Sequence, residues 1–155
     1  MAIEIERKFL VKHDGWRNLS PGVAYRQGYL CTEAERTVRV RIAGDRAFFT
    51  VKGKTTGSSR LEYEYPIPIQ DAAEMLDRLC HRPLIEKTRY RITLGDLVWE
   101  VDEFHGENQG LIMAEVELSS EDQAIALPDW IGLEVSQDDR YYNSYLSRHP
   151  YRSWQ

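Results

Sequence analysis

Ile3-Glu4-Ile5-Glu6-Arg7-Lys8-Phe9-Leu10-Val11 sets Glu4, Glu6 and Lys8 on one phase of a two-residue alternation and Ile3, Ile5, Phe9 and Val11 on the other. Successive side chains of an extended chain point to opposite faces, so the stretch predicts a strand with one charged and one apolar side. The pattern recurs down the chain. Residues 37–42 oppose Arg39 and Arg41 to Val38, Val40 and Ile42, and residues 60–67 oppose Glu62 and Glu64 to Leu61, Tyr63 and Tyr65. Further strand patterns cover 25–30, 47–54, 85–94, 97–104, 111–118 and 133–136, with Gly44-Asp45 and Gly95-Asp96 placed to turn hairpins.

Helical spacing interrupts the strands once clearly. Over 69–80, Ala73, Leu76, Leu79 and Cys80 share a face, and Pro83 closes the segment. Two short helices are expected near the end: one opened by a capping box at Ser120-Glu121-Asp122-Gln123 and ending near Pro128, the other over 140–147. The polar connection at 13–22 has room for one more turn of helix. The fold expected is mainly β (α+β): a closed eight-stranded antiparallel barrel with short covering helices, forming a single domain over 1–155.

Bulk properties narrow the function. A formal charge of −5 gives no general attraction to nucleic acid or to an acidic membrane, so an anionic ligand must be held by local clusters of basic residues. The first eleven residues lack the apolar run of a signal peptide, and no stretch approaches the roughly 18 apolar residues that cross a bilayer. Cys31 and Cys80 are expected to be reduced thiols of a cytoplasmic protein. His13, His81, His105 and His149 form no metal-site spacing, and neither CxxC nor HExxH occurs.

The charged phase of all the strands, taken together, holds Glu4, Glu6, Lys8, Arg39, Arg41, Lys52, Lys54, Glu62, Glu64, Lys87, Arg89, Arg91, Glu100, Asp102, Glu115 and Glu117. The simplest reading is a face turned to water. Three features favour a lined interior instead. Like charges are paired within strands, about 6 to 7 Å apart, where they repel. Arginine dominates the basic pairs, and its rigid fork suits phosphate oxygens. The acidic pairs offer the hard oxygen ligands that Mg²⁺ or Mn²⁺ takes. The pattern alone leaves both readings open.

The chain resembles the CYTH superfamily, the triphosphate tunnel metalloenzymes, and among them the short bacterial members similar to inorganic triphosphatases. The resemblance rests on the ExExK run Glu4-Ile5-Glu6-Arg7-Lys8, then on Gln27-Gly28-Tyr29-Leu30, Val38-Arg39-Val40-Arg41, Lys52-Gly53, Glu62-Tyr63-Glu64, Glu86-Lys87-Thr88-Arg89-Tyr90, Asp102, Ala114-Glu115-Val116-Glu117, Glu134-Val135-Ser136 and Arg140-Tyr141-Tyr142-Asn143. It implies an eight-stranded tunnel and metal-dependent chemistry on a triphosphate group. Glu4, Glu6 and Glu117 are the metal ligands it implies, with Glu62, Glu64, Asp102 and Glu115 left for a second metal or for orienting water. Lys8, Arg39, Arg41, Lys52, Lys87, Arg89 and Arg91 match the phosphate-binding set, and Lys54 and Glu100 join by phase alone. Glu62, Glu64, Glu115 and Lys87 are the candidate bases.

The activity implied is hydrolysis of inorganic triphosphate to pyrophosphate and phosphate with Mg²⁺ or Mn²⁺. The alternatives are a class IV adenylate cyclase, a thiamine triphosphatase, or a module that binds polyphosphate or a nucleoside triphosphate without turnover. No general nucleic-acid or membrane partner is expected, and a homodimer is left open. Arg7, on the apolar phase, is expected to be structural. Lys12 and Arg60 read as solvated strand ends, Tyr29 has no clear phase, and Tyr63, Tyr65, Tyr90 and Trp99 are expected to fill space between the barrel wall and its covering helices.

Overall fold

The computed structural model describes residues 3–154. Among the described residues nine strands form: β1 (Ile3–Val11), β2 (Gly22–Glu33), β3 (Arg36–Ala43), β4 (Arg46–Gly53), β5 (Ser59–Ile67), β6 (Ile85–Leu94), β7 (Leu97–Phe104), β8 (Ile112–Glu117) and β9 (Ile131–Glu134). Eight of them close a ring in the order β5-β4-β3-β2-β6-β7-β8-β1, with β1 returning to β5, and every pairing is antiparallel. The expected eight-stranded barrel is present. β9 lies outside the ring, on the far end of β1.

Local chemistry explains the hairpins. Gly44 and Gly95 take φ of 61° and 62°, and among the described residues only glycines have positive φ, so each Gly-Asp pair turns with glycine first, the II′ arrangement whose twist matches the strands it joins. The ring is closed by a short seam, Ile3↔Leu61, Glu4↔Arg60 and Ile5↔Ser59.

Apolar residues cover the barrel from outside in two places. Phe9, Trp99, Val101, Ala114 and Val116 are capped by Trp16 from the 13–20 turns and by Trp130. Helix α1 (Ile69–Arg78) lays Ala72 and Leu76 on Val40 and Ala47 of β3 and β4. A third cluster lies at one end of the barrel, where Tyr29, Ile85, Phe104 and Met113 meet Leu146 of the short helix α2 (Asn143–Leu146). The C-terminal segment thereby floors that end.

Several expectations are corrected. No helix forms at 120–128, because the capping partners are used otherwise. Gln123 accepts from the Ser119 N–H at 2.6 Å, the Ser120 hydroxyl donates to Asp122, and Glu121 accepts from the Ser58 N–H at 2.7 Å. The chain then runs on so that Ile125 packs against the outer core. The 140–147 helix is split into a 3-10 turn at Asp139–Tyr141 and α2, with Tyr142 extended between them. Residues 13–20 make turns only. Trp99 and Tyr90 do pack on the outer wall, but under Trp16 and Trp130 from turns and loops in place of the expected helices, whereas Tyr63 and Tyr65 are exposed because no helix covers β5. Both cysteines are free thiols, and among the described residues no helix is long and apolar enough to cross a membrane.

Leu76 is fully buried between α1 and the barrel, and deleting most of such a side chain costs the lost transfer energy plus a cavity. Leu76→Ala is expected to lower the unfolding free energy by about 2 to 5 kcal/mol, read from urea denaturation.

Candidate active site

The inward residues of the eight strands enclose a cavity of about 180 Å³. From β1 come Glu4, Glu6 and Lys8, from β3 Arg39 and Arg41, from β4 Lys52 and from β5 Glu62 and Glu64. From β6 come Lys87 and Arg89, from β7 Glu100, and from β8 Glu115 and Glu117. The alternation that set these residues on one phase therefore turns them inward. Only Tyr29 and Tyr142 are aromatic among the lining residues.

Three expected residues stand elsewhere. Lys54 is exposed and lines a separate pocket of about 510 Å³, which borders the chamber through Thr37, Arg60, Tyr142 and Ser144. Arg91 is exposed at the barrel rim, 3.8 Å from Glu100. Asp102 is buried behind the lining with both oxygens engaged, receiving Arg89 through Nε and Nη2 at 2.7 and 2.8 Å and the Lys87 ammonium at 2.7 Å. It anchors two cations, and three of its roughly four lone-pair positions are taken by them.

Sequence reasoning passed over others. Arg60 lines the chamber and donates to Glu4 at 3.3 Å. It shares a phase with Glu62 and Glu64, which was the available signal, but its burial depends on the seam with β1. Tyr29 lines the wall because the register shifts between Tyr29 and Cys31, which is why simple alternation gave it no clear phase. Tyr142, Asn143 and Ser144 reach the chamber from the C-terminal segment, which carries no periodicity to betray them. Arg7 faces outward and pairs with Glu134 at 2.7 Å, in keeping with a structural role.

The electrostatics are unbalanced in both signs. Some charges are compensated: Lys52 donates to Glu4 at 2.9 Å and lies 3.4 Å from Glu62, while Arg39 and the Thr50 hydroxyl share Glu64 at 3.3 and 2.7 Å. Burial pushes the Glu115 carboxyl up, but Lys8, Arg89, Lys87 and a hydrogen bond from Glu6 hold it well below the usual range. For Glu6 the nearby cations do not suffice. Burial, then Glu115 and Glu4, push its carboxyl up to about 8 against the opposing pull of Lys52 and Lys8. Burial also raises Glu62 and Glu117, with neighbouring carboxylates adding to the effect. The strand register itself sets carboxylate against carboxylate at Glu6↔Glu117 and Glu100↔Glu115, a pairing that destabilises a sheet unless a cation intervenes.

The basic wall shows the converse. Among the described residues Arg41 reaches only a neutral acceptor, Gln27 Oε1 at 2.8 Å, and burial with repulsion from Arg39 and Arg89 lowers it to about 10. Lys87 is lowered to about 7, since burial and the Arg89 and Arg41 cations outweigh an Asp102 carboxylate that is shared with Arg89. Buried Arg39 Nε has no acceptor among the described residues. Such a chamber can take an anion with several oxygens against its basic wall and a hard cation against its acidic one. Among the described residues no three carboxylate, imidazole or thiol groups form a ready-made cage, so a cation would share its coordination between wall carboxylates and ligand oxygens. The donor set fits Mg²⁺ or Mn²⁺: oxygens only, on carboxyls that burial and neighbouring carboxylates hold above their normal range.

Comparison with known proteins gives a consistent picture. Residues 2–144 match the CYTH domain family. An inorganic triphosphatase of Acetivibrio thermocellus is 51% identical over 154 residues, covering 99% of both chains. One from Nitrosomonas europaea is 42% identical over 150 residues, covering 93% of this chain and 96% of the relative. The crystal structure of the inorganic triphosphatase NE1496 superposes with a TM-score of 0.66 at 40% identity, covering 95% of each chain.

Two outcomes follow from the buried charges. Asp102→Ala takes from Lys87 its carboxylate partner and leaves Arg89 only the more distant Glu100 and Glu115, and is expected to cost about 3 to 5 kcal/mol of stability in urea unfolding. Glu6, raised in the folded state from 4.5 to about 8, binds a proton in the native chain that the unfolded chain releases, so its contribution to stability falls as pH rises through that window. The stability of the metal-free parent relative to Glu6→Gln should therefore decline between about pH 5 and 8.5. A flat difference would show that Glu6 is not desolvated as described.

Proposed function

This chain belongs to the CYTH domain family, and from that membership and its two-signed chamber we propose that it hydrolyses inorganic triphosphate to pyrophosphate and phosphate. The observation that carries the reading is the coexistence, within one cavity, of basic side chains short of counter-anions and carboxyls short of counter-cations. A polyanion alone would relieve only the first, and a metal ion alone only the second. A metal-bound triphosphate relieves both. The relatives at 51% and 42% identity are inorganic triphosphatases, and divalent-metal dependence accompanies the family.

In this reading Arg39, Arg41, Lys8, Lys52 and Arg89 hold the phosphates that are not attacked, and Arg60 keeps Glu4 in place. Glu4, Glu6, Glu115 and Glu117 supply the carboxylate face that would hold Mg²⁺ or Mn²⁺. The ion, when bound, neutralises charge on the phosphoryl oxygens during displacement. Water attacks the terminal phosphorus, the bridging P–O bond breaks, and pyrophosphate leaves. Among the bases expected from the sequence, Glu115 is held strongly acidic and Glu64 is engaged by Arg39 and Thr50. Lys87, brought to about 7, is neutral in a useful fraction near neutral pH and takes the proton from the water. Glu62, raised by burial, orients that water from the other side.

A bare triphosphate is favoured over a nucleotide or thiamine ester because the chamber itself is lined by charged, hydroxyl and amide groups apart from Tyr29 and Tyr142, and the rings of Tyr145 and His149 belong to the adjoining pocket. The two free thiols fit the reducing cytoplasm, where we place the protein.

The test is release of phosphate and pyrophosphate from tripolyphosphate, ATP and thiamine triphosphate, each with Mg²⁺, Mn²⁺ or chelator. Tripolyphosphate should be turned over fastest, only with metal, and Glu4→Gln should lose at least about 100-fold of that activity. Cyclic AMP formation from ATP would move the protein to the cyclases, and metal-dependent binding without any product would make it a binding module.

A further inference from the structure

The chamber is completed by a side chain that no strand supplies, and the direction of its hydrogen bonds can be read from its neighbours. Arg41 Nε can only donate, so the Gln27 atom 2.8 Å away is its carbonyl oxygen. The Gln27 amide nitrogen is thereby turned the other way and donates to Asn143 Oδ1 at 3.0 Å. Lys87 Nζ donates to the same oxygen, also at 3.0 Å. With two donors fixing Oδ1 toward the wall, the orientation of the Asn143 amide is settled by chemistry and not left to choice. Its Nδ2 carries two N–H groups and meets no acceptor among the described residues, although Asn143 is 9% exposed and lines the cavity.

We propose that Asn143 is a substrate-binding residue: Nδ2 donates to a non-bridging phosphate oxygen of the triphosphate, while Oδ1 orients the Lys87 amine. This inference rests on the triphosphate reading of the chamber. A neutral donor suits this position. Lys87 is flanked by Arg89 and Arg41, and a further cation beside it would repel all three, whereas an amide adds N–H groups to the phosphate without adding charge. The same side chain makes the C-terminal segment part of the site, since Leu146, one turn on, is packed into the apolar floor of the barrel.

The test compares Asn143→Ala with Asn143→Asp. Alanine removes the donor without adding charge. Aspartate keeps an oxygen for Gln27 and Lys87, and so keeps the segment docked, but has no N–H to offer. Affinity for tripolyphosphate is measured by calorimetry on metal-free protein and KM and kcat with Mg²⁺. Both variants should bind roughly 10- to 100-fold more weakly, aspartate the more so, with the aspartate protein melting within a few degrees of the parent. The aspartate variant's pH–rate profile should also move to higher pH, because a carboxylate beside Lys87 favours its charged form. Parental affinity in Asn143→Ala overturns the proposal. So does weak binding in alanine with parental binding in aspartate, which would leave Asn143 a docking residue only. Asn143→Leu, of nearly the same shape as asparagine and with no donor, replaces the alanine variant if that does not fold, and parental affinity in it overturns the proposal equally. Turnover by the parent protein tests the triphosphatase reading separately, and the metal-free titration judges Asn143 whether or not turnover is seen.

Discussion

A charge taken out of water must be met by an opposite charge or by hydrogen bonds, or it neutralises. Asp102 shows how this barrel meets that demand. Its carboxylate is fully buried yet ionised, because Arg89 grips it through two nitrogens and Lys87 through a third. That knot joins β6 to β7 from the inside and fixes where two of the chamber's cations stand. A barrel of this size filled with leucine and valine would not need it. Here the interior cannot be apolar along its whole length, so its polar part is held by ion pairs and its apolar part is confined to one end under α2.

The compensation is incomplete, and the pattern of the shortfall is informative. Lys52 with Glu4, and Arg39 with Glu64, are settled pairs that reach between strands across the chamber wall. Glu6 opposite Glu117, and Arg41 beside Arg39 and Arg89, are not. If stability alone shaped the interior, exchanging a few of these positions would pair every charge. The residual imbalance costs folding energy that a bound metal and anion would return, which is the usual relation between a binding site and the fold that carries it.

Much of this was legible in the sequence. Two-residue alternation in β1, β3 and β5 sets the charges on one shared phase, since a one-residue slip would send all of them to the other face, and closure of the ring is what makes that face the interior. The Gly-Asp hairpins fixed the neighbours β3–β4 and β6–β7. What alternation could not show was anything set by a break in register or by long-range closure. Tyr29 turns inward at a bulge. Arg60 becomes interior only when β5 meets β1. The box at Ser120 to Gln123 looked like a helix start, yet Glu121 is drawn away to the Ser58 backbone 63 residues distant, a contact with no local signature. Lys54 and Arg91 have the right phase and the wrong height, being one step beyond the enclosed part of their strands.

The C-terminal segment is the element for which sequence reasoning had least purchase, and it does what strands cannot. A strand delivers side chains at fixed intervals onto a curved wall, so every inward position on β1 to β8 looks across the axis from the side. Closing an end requires a segment crossing that axis. Residues 142–146 cross it with two kinds of contact: Leu146 in the apolar floor, Tyr142 and Asn143 against the charges above. Tyr142 presents its ring to Lys8 Nζ at 5.1 Å and to Arg60 at 5.6 Å, and the Tyr141 carbonyl accepts from Lys8 at 3.1 Å. An extended residue between two short helical turns is what allows ring, carbonyl and amide to face the same chamber. A continuous helix over 140–147 would set side chains 142 and 143 about 100° apart around its axis and commit the Tyr141 carbonyl to the helix's own hydrogen bonds, so ring, carbonyl and amide could not together reach Arg60, Lys8 and Lys87. The irregularity of the segment is therefore the geometric condition for closing the site with polar groups.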